Sequence, residues 1–157
     1  MKWRDWLANW GLDSLKINIK FLEMEWKPQD ADRNASWDLY IELLTRITTQ
    51  PLVREHGNEK AALDSVYSIF PITREILHKH GAGCGEFAKL AIPVLNQIIR
   101  PFTAKWHKLS IAGAFESAAG CKDFRKELSV LQIQLRHYTQ ALAKMANVED
   151  LTRLEKG

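Results

Sequence analysis

The feature of this sequence that most restricts its fold is a regular apolar repeat near the carboxyl end. Seven large apolar side chains within residues 121–146 follow one another at alternating steps of four and three: Phe124, Leu128, Leu131, Leu135, Tyr138, Leu142 and Met145. This spacing places them on one face of an α-helix, as an a/d seam over three heptads. Such a face has to be covered by other helices, so the sequence predicts a helical bundle.

Three further helices are expected from the spacing of apolar residues and from residues that start or stop helices. The first covers about residues 32–49 and ends before Pro51, because the residue that precedes a proline is pushed out of the α region. Asp30, Asp32 and Asn34 are its candidate N-caps. The side chains expected to face the core are Trp37, Tyr40, Leu44 and Ile47.

The other two predicted helices cover about residues 59–80 and 86–109. Asn58 is the expected N-cap of the earlier one, and Gly81 follows its last residue as a C-terminal glycine. The later one is apolar over a wide arc, which is typical of a helix surrounded by others. Prolines on or near the polar sides of both predict kinks in otherwise continuous helices, at Pro71, Pro93 and Pro101.

With these helices the expected fold is mostly α: an up-and-down four-helix bundle with kinked central helices. The bundle would occupy residues 29–157, after an N-terminal extended or short helical segment of residues 1–28. A chain of 157 residues, 46% of them apolar, can bury a core without the help of a disulfide or a metal.

The N-terminal segment is compatible with two structures. Residues 16–21 alternate strictly between polar and apolar, as a half-buried strand does, and this would place Ile17, Ile19 and Phe21 on one face. No other segment offers a matching strand, so the strand predicts pairing with a second copy of the chain in a homodimer. The same stretch also fits helical spacing, and in that case it packs on its own bundle.

Composition narrows the class of protein. Lysine and arginine together exceed aspartate and glutamate by only three, and no run of five like charges occurs, so a polyanionic partner is not implied. The first residues lack the apolar run of a secretory signal, and the least polar stretch, Leu90 to Ile99, is far shorter than the about 20 residues that span a bilayer. Two cysteines make no disulfide framework. A cytoplasmic protein without membrane association is expected.

The residues best suited to metal binding surround a glycine-rich turn. His78, His80 and Cys84 are ligand types for zinc, but their spacing matches no standard zinc module. Glu75-x-x-His78 has the spacing found in di-iron carboxylate bundles, yet the second copy that such a site requires is missing. The glycines of the turn lack the spacing of a dinucleotide fingerprint. We expect a helix-ending turn without a cofactor, and metal binding stays as an alternative.

No catalytic motif is recognisable, since Gly-x-Ser-x-Gly and His-Glu-x-x-His are both absent from the sequence. The surface best suited to binding lies on the third predicted helix, which carries residue types enriched at interaction hot spots: Asn96, Arg100, Thr103, Trp106 and His107. A second candidate is Glu42 with Arg46, although an i, i+4 pair of this kind is equally explained as a stabilising ion pair.

From the sequence we therefore expect a non-catalytic helical protein that works by association, with itself or with another protein. One alternative is a metal-binding protein or metal-dependent enzyme that uses the His78, His80 and Cys84 turn. Another is weak nucleic-acid binding through residues 100–108, where a basic surface would contact the backbone and an aromatic ring would stack on a base. Nucleic acid is the least favoured partner.

Overall fold

The computed structural model describes residues 1–46, 49, 50, 52 and 58–154, and the expected mostly α fold is confirmed in this part of the chain. The helices are α1 Trp3–Asn9, α2 Ile19–Leu22, α3 Asp30–Leu44, α4 Glu59–Tyr67, α5 Ile69–His80, α6 Gly85–Val94, α7 Arg100–Ile111 and α8 Ala118–Ala146. A 3₁₀ turn, Gly81–Cys84, joins α5 to α6, and a second, Ala114–Glu116, precedes α8. This helix count differs from the predicted four, so the up-and-down four-helix bundle is not confirmed.

The apolar seam of α8 is confirmed, because all seven predicted residues are buried. The helix starts three residues earlier than expected, at Ala118, because the Ser117 hydroxyl accepts the backbone N–H of Gly120 at 3.0 Å and caps the first turn. It ends at Ala146, followed by Asn147 in the left-handed region with a φ of 58°. Helix α3 lies along α8 and makes the most extensive helix contact in the described structure.

The predicted apolar stripe of α3 is partly wrong. Trp37 is 41% exposed and Leu44 is half-buried, whereas Tyr40 is buried as expected; Ile47 and Pro51 lie outside the described residues. The buried face of the helix is formed by Asp32, Ala35, Ser36, Leu39, Tyr40 and Leu43. Small side chains in this face let α8 and α5 approach closely, whereas the predicted stripe consisted of large apolar residues.

The second predicted helix is two helices, and a break replaces the expected kink. Helix α4 ends at Tyr67 and α5 begins at Ile69, with Ser68 between them. Pro71 has no N–H to donate to the Tyr67 carbonyl, and its ring crowds that carbonyl, which explains an interruption at this position. The predicted caps are confirmed, because Asn58 Oδ1 accepts the Ala61 N–H at 2.8 Å and Gly81 ends α5 with a φ of 67°.

The third predicted helix runs without a gap from Gly85 to Ile111, but it contains a π-helical turn, Leu95–Ile99, between α6 and α7. In this turn the Arg100 N–H donates to the carbonyl of Leu95, five residues earlier. Pro101 follows directly and cannot donate to the Gln97 carbonyl. The wider turn accommodates this missing donor within a continuous helix.

The strand predicted for residues 16–21 is wrong, since α2 occupies Ile19–Leu22 and no strand occurs among the described residues. Asn18 starts this helix, because its Oδ1 accepts the Lys20 N–H at 2.8 Å. Both backbone groups of Lys16 are bound by the Gln97 side-chain amide, at 2.7 and 2.8 Å. The segment therefore finds its hydrogen-bond partners within its own chain, and Ile19 is 71% exposed on α2.

The N-terminal segment shares the hydrophobic core of the other helices. Trp6 packs edge-on against Trp3 at 5.4 Å and stacks on Trp26 at 4.8 Å between ring centroids, and Phe21 covers Trp3 at 5.0 Å. The Trp3 indole N–H donates to Glu86 Oε2 at 2.9 Å, which fixes the segment to α6. Among the described residues, no helix combines the length and the apolar character that crossing a bilayer demands.

Candidate protein-interaction surface

Two of the five residues predicted on the third helix are not on the surface. Thr103 is buried, and its hydroxyl donates to the Ile99 carbonyl at 3.3 Å. Trp106 is buried as well, because its position on α7 faces α8: the indole N–H donates to Glu127 Oε2 at 2.6 Å, and its ring packs on Phe124. The prediction that these two side chains contact a partner is therefore wrong. The nucleic-acid alternative required an exposed aromatic ring on this helix, and the buried Trp106 does not provide it.

The other three predicted residues lie beside the junction between α4 and α5. The Arg100 guanidinium lies 4.8 Å from the centroid of the Phe70 ring, and it donates to Asn96 Oδ1 at 3.1 and 3.3 Å. The His107 and Tyr67 rings meet edge-to-face, with 5.1 Å between their centroids. Residues of α4, α5, α7 and the π-helical turn before α7 thus form one surface around Phe70.

Three further members of this surface, Phe70 itself, Arg74 and Tyr67, were not predicted from the sequence. The Arg74 guanidinium carbon lies 5.8 Å from the centroid of the same Phe70 ring. Tyr67 packs against Phe70 at 5.6 Å and is 47% exposed. The local signal for Arg74 was its position four residues after Phe70, which places the two side chains on one helix face. We call the set Tyr67, Phe70, Arg74, Asn96, Arg100 and His107 the Phe70 surface.

The charge of the Phe70 surface is unbalanced. Arg74 and Arg100 are both exposed, and neither forms an ion pair with any carboxylate among the described residues. Phe70, in contrast, is buried beneath them. Two guanidinium groups are therefore held against one ring with their donors turned to solvent or, for Arg100, to a neutral amide.

The second predicted candidate, Glu42 with Arg46, is an ion pair on α3. Arg46 Nη2 lies 2.8 Å from Glu42 Oε2, and Arg46 Nη1 donates to Ser68 Oγ at 3.3 Å. The guanidinium is thus used within the chain and ties α3 to the α4–α5 junction. Because Ser68 directly follows Tyr67, this pair borders the Phe70 surface on the α3 side.

The three candidate metal ligands do not converge. His78 is exposed, His80 Nε2 lies 2.7 Å from Asp38 Oδ2, and the buried Cys84 thiol donates to the Gly81 carbonyl at 3.1 Å. Burial raises the pKa of the Cys84 thiol, and the charge of Asp32 adds to the effect, which disfavours the thiolate that zinc requires. No group of three His, Cys, Asp or Glu side chains placed to hold a metal occurs in the described part of the chain.

The glycine turn offers no free anion site at the start of α6. Asp32 is buried beneath it, and its Oδ1 accepts the Phe87 N–H at 2.9 Å. Glu86 adds a second carboxylate, which accepts from Trp3 and pairs with Lys89 at 2.9 Å. The chain's own carboxylates thus occupy the position where an anion would bind.

A surface cavity of about 700 Å³ contains the other thiol, that of Cys121, beside Glu59 and Arg125. Arg125 Nε lies 2.8 Å from Glu59 Oε1, so these two charges neutralise each other. Burial raises the pKa of the Cys121 thiol, and Glu59 raises it further. The thiol is therefore protonated at neutral pH, which is the wrong state for a nucleophile.

Comparison with known proteins does not add a function to this geometry. No protein-family model matches the sequence, and searches of curated proteins and of solved structures give no significant match. Any functional inference therefore rests on the residues and contacts described above.

Proposed function

We propose that this chain is a non-catalytic protein that acts by binding another protein through the Phe70 surface. The observation that carries the proposal is the pair of guanidinium groups on the Phe70 ring, which have no carboxylate partner among the described residues. Arginine side chains with unused donors are available for a partner, and contact with the ring restricts their orientation before binding.

The aromatic part of the surface supports the same proposal. Tyr67 is exposed over nearly half of its area, beside the two arginines and the His107 ring. Tyrosine and arginine are enriched among the residues that dominate binding energy at protein interfaces. The surface thus combines apolar area with directed hydrogen-bond donors. The protonated thiols and the dispersed metal-ligand candidates favour binding over catalysis.

Site-specific photo-cross-linking in cells of the source organism tests the proposal. A benzophenone amino acid at Tyr67 should give a discrete cross-linked protein, and Arg100→Glu in the same chain should remove it. Trp37, which has a similar exposure of 41%, provides the matched control position. With the identified partner purified, Arg100→Glu should weaken the dissociation constant at least tenfold.

Three results would contradict the proposal. The first is that positions 67 and 37 give the same cross-linked proteins. The second is that the cross-linked protein from position 67 persists in Arg100→Glu. The third is the absence of any protein adduct at position 67. A specific adduct with twice the mass of the chain would identify the partner as a second copy of the chain. That result would support the proposal and show that the association is self-association.

A further inference from the structure

We propose, resting on the function proposed above, that the partner presents an acidic segment to the Phe70 surface, with two carboxylates that pair with Arg74 and Arg100. The two guanidinium carbons lie 5.8 and 4.8 Å from the same ring centroid, so two positive charges share a small area. In the described structure neither guanidinium forms an ion pair that would neutralise its charge. Two incoming carboxylates would neutralise both charges.

The geometry of arginine favours carboxylates in particular. A guanidinium presents its donors in a planar fork that matches both oxygens of a carboxylate, and such charge-assisted bonds are stronger than neutral ones. The Phe70 ring contacts both groups, and Asn96 holds Arg100 from the side. Less side-chain freedom is therefore lost on binding than for two free arginines.

A short segment can reach both arginines. Both guanidinium carbons lie within 5.8 Å of one ring centroid. Acidic side chains three or four residues apart on a helix have Cβ atoms about 5–6 Å apart, so two long glutamate side chains of one helix can reach both groups. The exposed part of Tyr67 then offers contact to an apolar side chain of the same segment. The expected ligand is an amphipathic acidic helix with one apolar residue beside two carboxylates.

Charge also distinguishes this ligand from a nucleic acid. Nucleic-acid backbones are bound by several phosphate contacts at once, whereas this surface offers two unpaired arginines. Trp106, the ring expected to stack on a base, is buried, which leaves the partly exposed Tyr67.

An NMR titration of the full chain tests the inference with a defined probe. The probe is a synthetic helical peptide with glutamates four residues apart and one leucine, and its control replaces both glutamates by glutamine. We expect the acidic peptide to shift the Arg74 and Arg100 Nε resonances and to bind at least tenfold more tightly than the control. Arg74→Gln with Arg100→Gln should abolish that preference, whereas Lys122→Gln with Lys126→Gln, at exposed positions of α8, should preserve it.

The inference fails if both peptides bind equally, if neither binds, or if the acidic preference survives in the Arg74, Arg100 double variant. It also fails if a single-stranded oligonucleotide competes more strongly than the acidic peptide. Thermal unfolding of each variant shows whether it is folded. If the titration fails but the Arg100-dependent cross-link at Tyr67 is observed, the acidic segment is rejected and protein association stands. If the titration fails and the cross-link is also absent, the proposed function is rejected.

Discussion

Asp32 is the residue at which two helix starts meet. Its two carboxylate oxygens accept the Gln29 N–H before α3, at 2.8 Å, and the Phe87 N–H in α6, at 2.9 Å. The side chain is 1% exposed, so water cannot replace either bond. Both acceptor positions also lie at the positive ends of helix dipoles, where a negative charge is favourable.

We expect Asp32→Asn to lower the free energy of unfolding by about 1–3 kcal/mol, because the amide group turns an NH₂ toward one of the two backbone donors and leaves it unsatisfied. Urea titration measures the loss. The matched control is Asp30→Asn on the same turn, where the side chain is 94% exposed and pairs with Arg33. That change should cost less than about 1 kcal/mol, as for most surface ion pairs. Equal losses in the two variants would contradict this role for Asp32.

Glu127 gives a prediction about pH. Burial acts to raise its pKa, but hydrogen bonds from Lys105 and Trp106 outweigh burial and hold the pKa below its ordinary value. The stabilisation is therefore present above the unfolded-state pKa, about 4.3 for glutamate, and is lost as pH falls through the lower folded-state pKa. We expect the free energy of unfolding to fall less steeply on acidification in Glu127→Gln than in the wild type.

Urea titrations at a series of pH values between about 3 and 6 check this expectation, since the range spans the ordinary pKa of glutamate. Asp123→Asn, at an exposed position one turn earlier on α8, should keep the wild-type slope. If Glu127→Gln and the wild type lose stability in parallel, the hydrogen bonds to Lys105 and Trp106 do not act as described.

At the scale of single residues, the sequence predicted what depends on near neighbours. Asn58 and Gly81 were assigned correctly because capping requires only the adjacent turn. The bond from Phe87 to Asp32 joins positions 55 residues apart, and no local pattern indicates it. The contact between Phe70 and Arg100 is of the same kind.

At the scale of helices, the buried face was predicted correctly where the apolar pattern was long. The seam of α8 repeats over three heptads, so no single residue decides the assignment. On α3 the buried face depends on small side chains such as Ala35 and Ser36, which carry little apolar signal. In the N-terminal segment, six alternating residues suggested a strand, but Asn18 capping and the Gln97 amide favour a short helix and an irregular turn.

The α8 seam leads to a stability prediction. Leu135→Ala should lower the free energy of unfolding by about 2–5 kcal/mol, because Leu135 is fully buried and its loss leaves a cavity. Gln134→Ala, the exposed neighbour, should change it by less than about 0.5 kcal/mol. Gln132 lies off the seam but is unsuitable as a control, since it is buried and donates to the Gln50 carbonyl at 2.8 Å. A small loss for Leu135→Ala in a urea titration would place the seam elsewhere.

At the scale of the molecule, the docked N-terminal segment changes the basis for self-association. The predicted homodimer depended on an unpaired strand edge at Ile17, Ile19 and Phe21, and that strand is absent from the described structure. Instead Ile17 and Phe21 pack against the chain's own core, while Ile19 begins α2 with its side chain exposed. Association through another surface, including the Phe70 surface, does not require this edge.

We therefore expect Ile19→Pro to leave the mass of the particle unchanged in light scattering. Proline is well tolerated at the first position of a helix, and Ile19 holds that position in α2. The free energy of unfolding should change by less than about 1 kcal/mol, as for most exposed substitutions. A wild-type dimer that dissociates on this substitution would restore the strand-pairing hypothesis.

Three of the six residues of the Phe70 surface could be predicted from the sequence, and there is a physical reason why the other three could not. Asn96, Arg100 and His107 share one side of a helix, and helical spacing alone groups them. Their partners Tyr67, Phe70 and Arg74 belong to other helices, and only tertiary packing brings them to the same surface. Trp106 was misassigned because its large ring fits both an interface and a core, and the approach of α8 decides between them.

The aromatic packing of the first 26 residues also makes the molecule a reporter of its own N-terminal docking. Four of the six tryptophans lie there, at positions 3, 6, 10 and 26, and Trp6 stacks on Trp26 at 4.8 Å. Two indoles at that separation couple their electronic transitions, so the intact chain should give an exciton couplet in circular dichroism. Undocking of the segment would abolish the couplet and shift fluorescence emission to the red while α8 keeps its helical signal. Intrinsic tryptophan signals can thus follow the undocking of this segment without an attached dye.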